Sequence, residues 1–230
     1  MLNVVFSPQW FYFKDIAIDI ISVLVLLLIG YCCWQYHRLD KTKKYYSRFS
    51  LSFLMIAGSF LFKIFTYFTL YREITQTRQV GLITLTYNIV QTSDALLLVG
   101  TIISRFLMLL GLYLLFTLYY PAKQRSTTFF MAYLLLIVAY LSHPAYYVFH
   151  LTAFLFLLFI ISHYYHNYHK TKDQPAHWLF YSFLAIGISQ LLFIFIKLDD
   201  VLYVGAEAIQ LLGYLLLLIS FLMVRYGKKK

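Results

Sequence analysis

The segment Asp94–Tyr119 reads DALLLVGTIISRFLMLLGLYLLFTLY and contains two charged residues, Asp94 at its start and Arg105 in its interior. A helix needs about 20 mostly apolar residues to cross the hydrocarbon layer of a bilayer. This segment is longer than that and has a single charge in its interior. It therefore predicts a transmembrane helix.

Six further apolar segments accompany it, and together they predict an all-α fold, a polytopic membrane bundle of seven transmembrane helices. The chain, residues 1–230, is expected to form one domain, and the sequence shows no internal repeat. The fourth segment is the shortest, with Pro121 before it and Pro144 after it. The predicted helices cover residues 16–37, 49–71, 94–119, 127–141, 145–165, 177–197 and 201–224.

Composition supports a membrane protein and argues against a nucleic-acid partner. Hydrophobic residues make up 62% of the chain and charged residues only 12%, whereas soluble domains average about 25% charged residues. The formal net charge is +10. Most of the positive residues lie in a few short loops and at the C-terminus, which membrane topology explains better than nucleic-acid binding does.

The distribution of lysine and arginine predicts the orientation of the chain. For their length, the first, third and fifth loops and the C-terminal tail are rich in these residues, and the second, fourth and sixth loops are poorer. Loops that stay in the cytoplasm carry such an excess. The pattern therefore predicts the N-terminus outside, the C-terminus in the cytoplasm and a location in the cell membrane.

The second loop, residues 72–93, is the longest. Its VGLITLTYNIV stretch combines β-branched residues with partial alternation of polar and apolar positions, which favours strands. We expect a short hairpin or a lid over the outer face here.

Ionisable and amide side chains inside the apolar segments are the candidate functional residues. An ionisable group near the middle of a bilayer costs roughly 2.5–3.5 kcal/mol on insertion scales, so such a residue usually has a partner or a function. Arg105 lies 11 residues after Asp94, about 16 Å along a helix. Four different helices contribute polar groups at compatible depths, and we expect them to line one outward-facing pocket. The predicted ligand-binding residues are Lys63, Arg105, Gln190, Glu207 and Gln210.

A structural interpretation of the same residues stays open. Lys63 with Glu207, and Arg105 with a glutamine or a tyrosine, would then be ties between helices. Interhelical polar contacts contribute only about 0.6 kcal/mol on average, yet they can fix the register of two helices.

Catalysis and cofactor binding find little support in the sequence. The chain has no GxSxG, HExxH, P-loop or paired-carboxylate motif, so it is not expected to be an enzyme. His163 and His166 have a spacing that can share a metal ion, but further ligands are few. His150 and His163 are spaced like haem ligands, but a second helix lacks the matching pair. The sequence therefore predicts no cofactor and no metal, with His163 and His166 as the weak metal candidates.

Seven helices in this orientation resemble microbial rhodopsins and the seven-helix sensory modules of prokaryotes. The stretch SQLLFIF…LYVGAEAIQLLGYLLLL also looks like the last two helices of small uncharacterised seven-helix proteins of prokaryotes, notably archaea. The last helix, LYVGAEAIQLLGYLLLLISFLMV, has no lysine to form a retinal Schiff base. The only lysine at mid-membrane depth, Lys63, lies in the second helix. A retinal chromophore is therefore not expected.

These observations predict a sensor-like or receptor-like membrane protein that recognises a small ligand or lipid. Its expected partners are membrane lipids, a small-molecule ligand and a signalling protein at the cytoplasmic face. A small-solute or proton-coupled transporter is the second hypothesis. A structural or assembly subunit of a membrane complex is the third.

Overall fold

The structure is a computed structural model and describes residues 8–11, 14–39, 44–70, 73–80, 83–90, 94–121 and 124–226. Seven α-helices and one pair of strands follow a short 3-10 turn at Gln9–Phe11. The elements are α1 (Lys14–Leu39), α2 (Lys44–Leu70), β1 (Glu73–Val80), β2 (Ile83–Val90), α3 (Asp94–Tyr119), α4 (Arg125–Leu141), α5 (Tyr146–Thr171), α6 (Gln174–Ile194) and α7 (Asp200–Tyr226).

The seven predicted helices are confirmed, and their bounds differ from the predicted ones mainly at the polar ends. The helix α2 begins at Lys44 instead of 49, and α5 continues to Thr171 instead of ending at 165. Apolar segments end where the membrane ends, but a helix continues into polar residues until a cap stops it. In α5 the stop is Lys172, which adopts the left-handed conformation with φ 53° and donates its N–H to the Tyr168 carbonyl.

Six of the helices, all except α4, are long and apolar enough to cross a membrane. The helix α4 has 17 residues, which is at the lower limit for a spanning helix. By length and composition, the described residues thus contain six candidate spans and one shorter apolar helix.

The strands β1 and β2 pair in an antiparallel hairpin between α2 and α3, in the register Glu73↔Val90 to Val80↔Ile83. This agrees with the hairpin that the β-branched residues of the second loop predict. Apart from it, the described fold is helical.

Six helices pack in a closed ring from which α4 is excluded. The helix α1 contacts α2 and α7, α3 contacts α2 and α5, and α6 lies between α5 and α7. The helix α4 packs mainly against α3 and makes few contacts with α5. The ring is closed by the contacts of α3 with α5 and of α7 with α1.

The odd-numbered helices of the ring begin at the same end. Arg105 lies over the Phe149 ring at 5.7 Å, and the rings of Tyr119 and Tyr164 are 5.4 Å apart, so α3 and α5 run parallel. The helices α1 and α7 also begin at that end. We call the end where they finish the basic end, because most of the described lysines and arginines lie there, namely Arg38, Lys44, Arg48, Arg125, Lys170, Lys172 and Arg225.

The contacts of α1–α3 are repeated by α5–α7. In both halves the first helix packs on the second, the second on the third, and the third on the first helix of the other half. A Cβ added at Gly111 in α3 would lie 2.9 Å from the Ser52 carbonyl oxygen of α2. A Cβ added at Gly213 in α7 would lie 3.0 Å from the Ser182 carbonyl oxygen of α6. Each would also lie 2.6 Å from an isoleucine one turn along the neighbouring helix.

The half of the ring nearer the basic end is a close-packed apolar core. Leucine, isoleucine and phenylalanine side chains from all six ring helices meet there and are at most 2% exposed. The most buried of them are Leu26, Ile29, Phe53, Leu109, Leu112, Leu115, Leu157, Ile160, Phe183 and Leu217. The cavity described below lies in the opposite half of the ring.

Candidate functional site

A cavity of about 170 Å³ lies inside the ring, in the half away from the basic end. Side chains from α2, α3, α5, α6 and α7 line it. All five residues that the sequence predicts as ligand-binding belong to its wall: Lys63, Arg105, Gln190, Glu207 and Gln210. The structure therefore brings the predicted residues together around a single space.

Lys63 connects three helices at the edge of the cavity. Its Nζ lies 2.8 Å from Glu207 Oε1 of α7 and 3.0 Å from Asp19 Oδ1 of α1. The two carboxylate side chains are 2% and 0% exposed, whereas a quarter of the Lys63 side chain remains exposed. The pair of Lys63 with Glu207 that the sequence suggested is thus present, and Asp19 joins it.

Asp19 belongs to this cluster although sequence reasoning did not select it as a ligand-binding residue. Its side chain is fully buried beside Lys63. The signal available in the sequence was Asp15, which precedes Asp19 by one helical turn on the same face. Two carboxylates on one face of an apolar helix indicate that this face is turned toward the bundle.

Arg105 joins α3 to the end of α4. One guanidinium nitrogen, Nη1, donates to the main-chain carbonyl of Ser142 at 2.5 Å and to its hydroxyl at 3.0 Å. Ser142 is the C-cap residue of α4 and is fully buried. A cation at this position interacts favourably with the negative end of the helix dipole and satisfies a carbonyl that has no partner within the helix. Arg105 therefore ties the peripheral helix to the ring while it lines the cavity.

We expect Arg105→Leu to lower the free energy of unfolding by about 1–3 kcal/mol, because the buried Ser142 carbonyl loses a charged donor. Ser142→Ala is the matched control, since it removes the hydroxyl and keeps the carbonyl. Its expected cost is under about 1 kcal/mol. Thermal or detergent-induced unfolding of the purified variants measures both. Equal losses in the two variants would contradict the role of the main-chain carbonyl.

Gln190 and His150 form a second polar pair in the wall. His150 Nδ1 lies 2.9 Å from Gln190 Oε1, and the imidazole stacks on the Phe193 ring at 4.8 Å. The sequence suggested His150 only as a haem ligand. The structure instead gives it a hydrogen-bond partner on the adjacent helix, because the Nδ1–H tautomer of the ring donates to the Gln190 amide oxygen.

Gln210 extends the polar wall along α7, three residues after Glu207. Its side-chain amide donates to the Tyr214 hydroxyl at 3.2 Å. The cavity is also lined by polar side chains that sequence reasoning did not select, namely Ser59, Thr66, Thr101, Ser104, Tyr146 and Tyr203. Hydroxyl residues are common in membrane helices, so their positions alone carry no signal for a pocket.

The two weak metal candidates lie far from this cavity, near the basic end. His163 stacks on the Tyr119 ring at 4.0 Å, and His166 is exposed. Across the described residues, no group of three or more His, Cys, Asp or Glu side chains is arranged to hold a metal ion.

Comparisons with protein-family models, with curated proteins and with solved structures found no match for this chain. The chemistry of the cavity must therefore be inferred from its own residues. Two cations, one carboxylate, two amides, an imidazole and several hydroxyls surround it, with aromatic rings between them. Such a wall can bind a small polar molecule through several hydrogen bonds at once.

Proposed function

We propose that this chain is a sensor-like or receptor-like membrane protein that binds a small ligand in the cavity. The ligand would contact Lys63, Arg105, Gln190, Glu207 and Gln210. The observation that supports the proposal most directly is their convergence. Four helices each place an amide or a charged group in one wall, although each such group is costly in lipid.

The size and surroundings of the cavity narrow the class of ligand. A cavity of about 150 Å³ can hold a molecule the size of benzene, and this one has a volume of about 170 Å³. The ligand is then a small molecule with several polar groups. The apolar core beneath it, which includes Leu109 and Leu217, closes the path to the basic end.

The orientation follows from the basic end. Lysine and arginine accumulate on the cytoplasmic side of membrane proteins, so the basic end faces the cytoplasm, and the N-terminus and the cavity face outward. The signal would pass to a protein partner at the cytoplasmic face. Anionic lipids would also be attracted to the basic loops there.

A thermal-shift screen of small polar metabolites against the purified protein tests ligand binding. We expect at least one compound to raise the melting temperature. Gln190→Leu and Gln210→Leu should each weaken its binding roughly tenfold, because each removes a hydrogen-bonding amide. Gln174→Leu is the matched control, since Gln174 is exposed at the start of the same helix as Gln190. Glutamines are preferred to Arg105, whose replacement would also release α4.

Binding that survives both glutamine substitutions would show that the ligand lies elsewhere. A screen without any stabilising compound would favour the structural or assembly role, in which the polar residues only tie helices together. Because Gln190 also bonds His150, the stability of each variant without ligand is measured in parallel.

Transport of a small solute is the second candidate, and the repeated contacts of α1–α3 and α5–α7 favour it. Many transporters consist of two such repeats with the substrate site between them near the middle of the membrane. A compound found in the screen would then enter liposomes that contain the protein, at a rate that Gln190→Leu lowers. Binding without uptake would favour the receptor.

A further inference from the structure

Two carboxylates of α1 are not explained by the ligand cavity. Asp15 is 1% exposed and Asp19 is fully buried, and neither belongs to the cavity wall. They lie one helical turn apart, on the same face of α1. Burying a carboxylate is costly unless the charge is compensated and its oxygens have partners.

Each of these side chains has one oxygen without a hydrogen-bond partner among the described residues. Asp15 Oδ1 accepts the main-chain N–H of Ile16 at 2.9 Å, but Asp15 Oδ2 has no partner. Asp19 Oδ1 accepts from Lys63, but Asp19 Oδ2 has no partner. Two buried carboxylate oxygens, Asp15 Oδ2 and Asp19 Oδ2, could therefore accept a proton or coordinate a cation.

The charges around this pair do not balance. The groups that face Asp19 from the helices packed against α1 are Lys63 on α2 and Glu207 with Tyr214 on α7. Among the described residues, Lys63 is the only cation within salt-bridge distance of this carboxylate cluster. It contacts both Asp19 and Glu207. Asp15, Asp19 and Glu207 thus have one ammonium group among them, so the cluster carries an excess of negative charge that a bound cation would reduce.

We propose that Asp15 and Asp19 bind one exchangeable monovalent cation, either a proton or an alkali ion such as Na⁺. Oxygen-only ligands of this kind suit hard cations and protons. A divalent ion such as Ca²⁺ takes six to eight oxygen ligands, and among the described residues no third acidic or histidine ligand joins the two aspartates.

The site would communicate with the cavity through Lys63, a consequence that depends on the proposed ligand binding. A cation between Asp15 and Asp19 would compensate the charge of Asp19. Lys63 would then pair with Glu207 alone, and Glu207 lines the cavity. Without the cation, Lys63 is shared between Asp19 and Glu207, as it is in the structure. Cation binding and ligand binding would then alter each other's affinity by the same factor.

The test measures the cation alone, on the purified full-length protein without any cavity ligand. One arm follows the melting temperature as choline chloride is replaced by NaCl at constant ionic strength. The other arm records the infrared spectrum at neutral pH in sodium-free buffer and looks for the carbonyl band of a protonated carboxylic acid. A sodium site predicts a saturable rise in melting temperature. At a concentration 100-fold above Kd this amounts to about a 100-fold shift in the folding equilibrium. A proton site predicts the infrared band.

Asp15→Asn and Asp19→Asn should each abolish the response, because asparagine has the shape of the aspartate without its charge. Asp199→Asn is the matched control, since Asp199 is exposed, and it should leave the response intact. If one asparagine variant fails to fold, the other variant and the wild-type spectra still decide. The proposal would be overturned if the melting temperature did not change with sodium concentration and the spectrum lacked the band of a protonated carboxylic acid. That outcome would leave ligand binding in the cavity unaffected, so the two proposals fail separately.

Discussion

Replacing Lys63 by methionine is expected to lower the free energy of unfolding by about 3–5 kcal/mol, the usual cost of removing one partner from a buried ion pair. The loss of stability arises because the Asp19 and Glu207 carboxylates stay buried without their cation. Asp19 and Glu207 are 0% and 2% exposed, so water cannot replace the ammonium group. Unfolding of the purified variant in detergent, followed by circular dichroism, measures the loss.

The origin of this loss is tested by neutralising the carboxylates as well. In the triple variant Lys63→Met, Asp19→Asn, Glu207→Gln none of the three side chains is charged, and we expect most of the stability to return. Asp19→Asn alone and Glu207→Gln alone each leave Lys63 one carboxylate, so each should cost only about 1 kcal/mol. If the triple variant were as unstable as Lys63→Met, packing of the lysine stem and not charge would be the cause.

Gly111→Ala and Gly213→Ala should each lower the free energy of unfolding by about 1–3 kcal/mol, the typical cost of overpacking a core. The new methyl group would lie within 3.0 Å of a main-chain oxygen, of Ser52 in one case and of Ser182 in the other. Main chain cannot move aside as a flexible side chain can. The helices α2 and α3, or α6 and α7, would have to separate.

Gly205→Ala is the matched control, because nothing lies within 4 Å of a Cβ added at Gly205. Alanine is the better helix former by about 1 kcal/mol, so this variant should be neutral or slightly more stable. The two core glycines contact different helices, and their losses are expected to add in the double variant. Equal behaviour of all three alanine variants would show that the close approach of the helix pairs does not depend on glycine.

These glycines also locate a short match between the two halves that sequence reasoning missed. The stretches SFLMIAGS (52–59) and LLG (109–111) correspond to SFLAIGIS (182–189) and LLG (211–213), but most of the shared residue types are common in every apolar segment of the chain. At the level of the cavity the two halves differ, since Arg105 and Glu207, one on each third helix, carry opposite charges. The common packing scheme is therefore clearer in the contacts between helices than in the short sequence match.

The sequence by itself determined the helical class, the number of helices and the five polar residues that meet at the cavity. All three follow from local free energies. An apolar run long enough to span lipid must form a helix, because lipid offers no partner for its main-chain groups. An ionisable residue within such a run faces the interior of the bundle, because exposing its side chain to lipid costs free energy. Depth, obtained from 1.5 Å per residue, was enough to group Lys63, Arg105 and Glu207.

The tertiary structure decided which helices are neighbours and which partner each polar group has. Hydrophobicity is nearly the same on every side of these helices, so it carries little information about order in the ring. The sequence could not show that α4 lies outside it, that Arg105 bonds the end of α4, or that Asp19 is buried beside Lys63. Those facts depend on close packing and on hydrogen bonds between residues far apart in the chain, and such terms exist only once the helices have assembled.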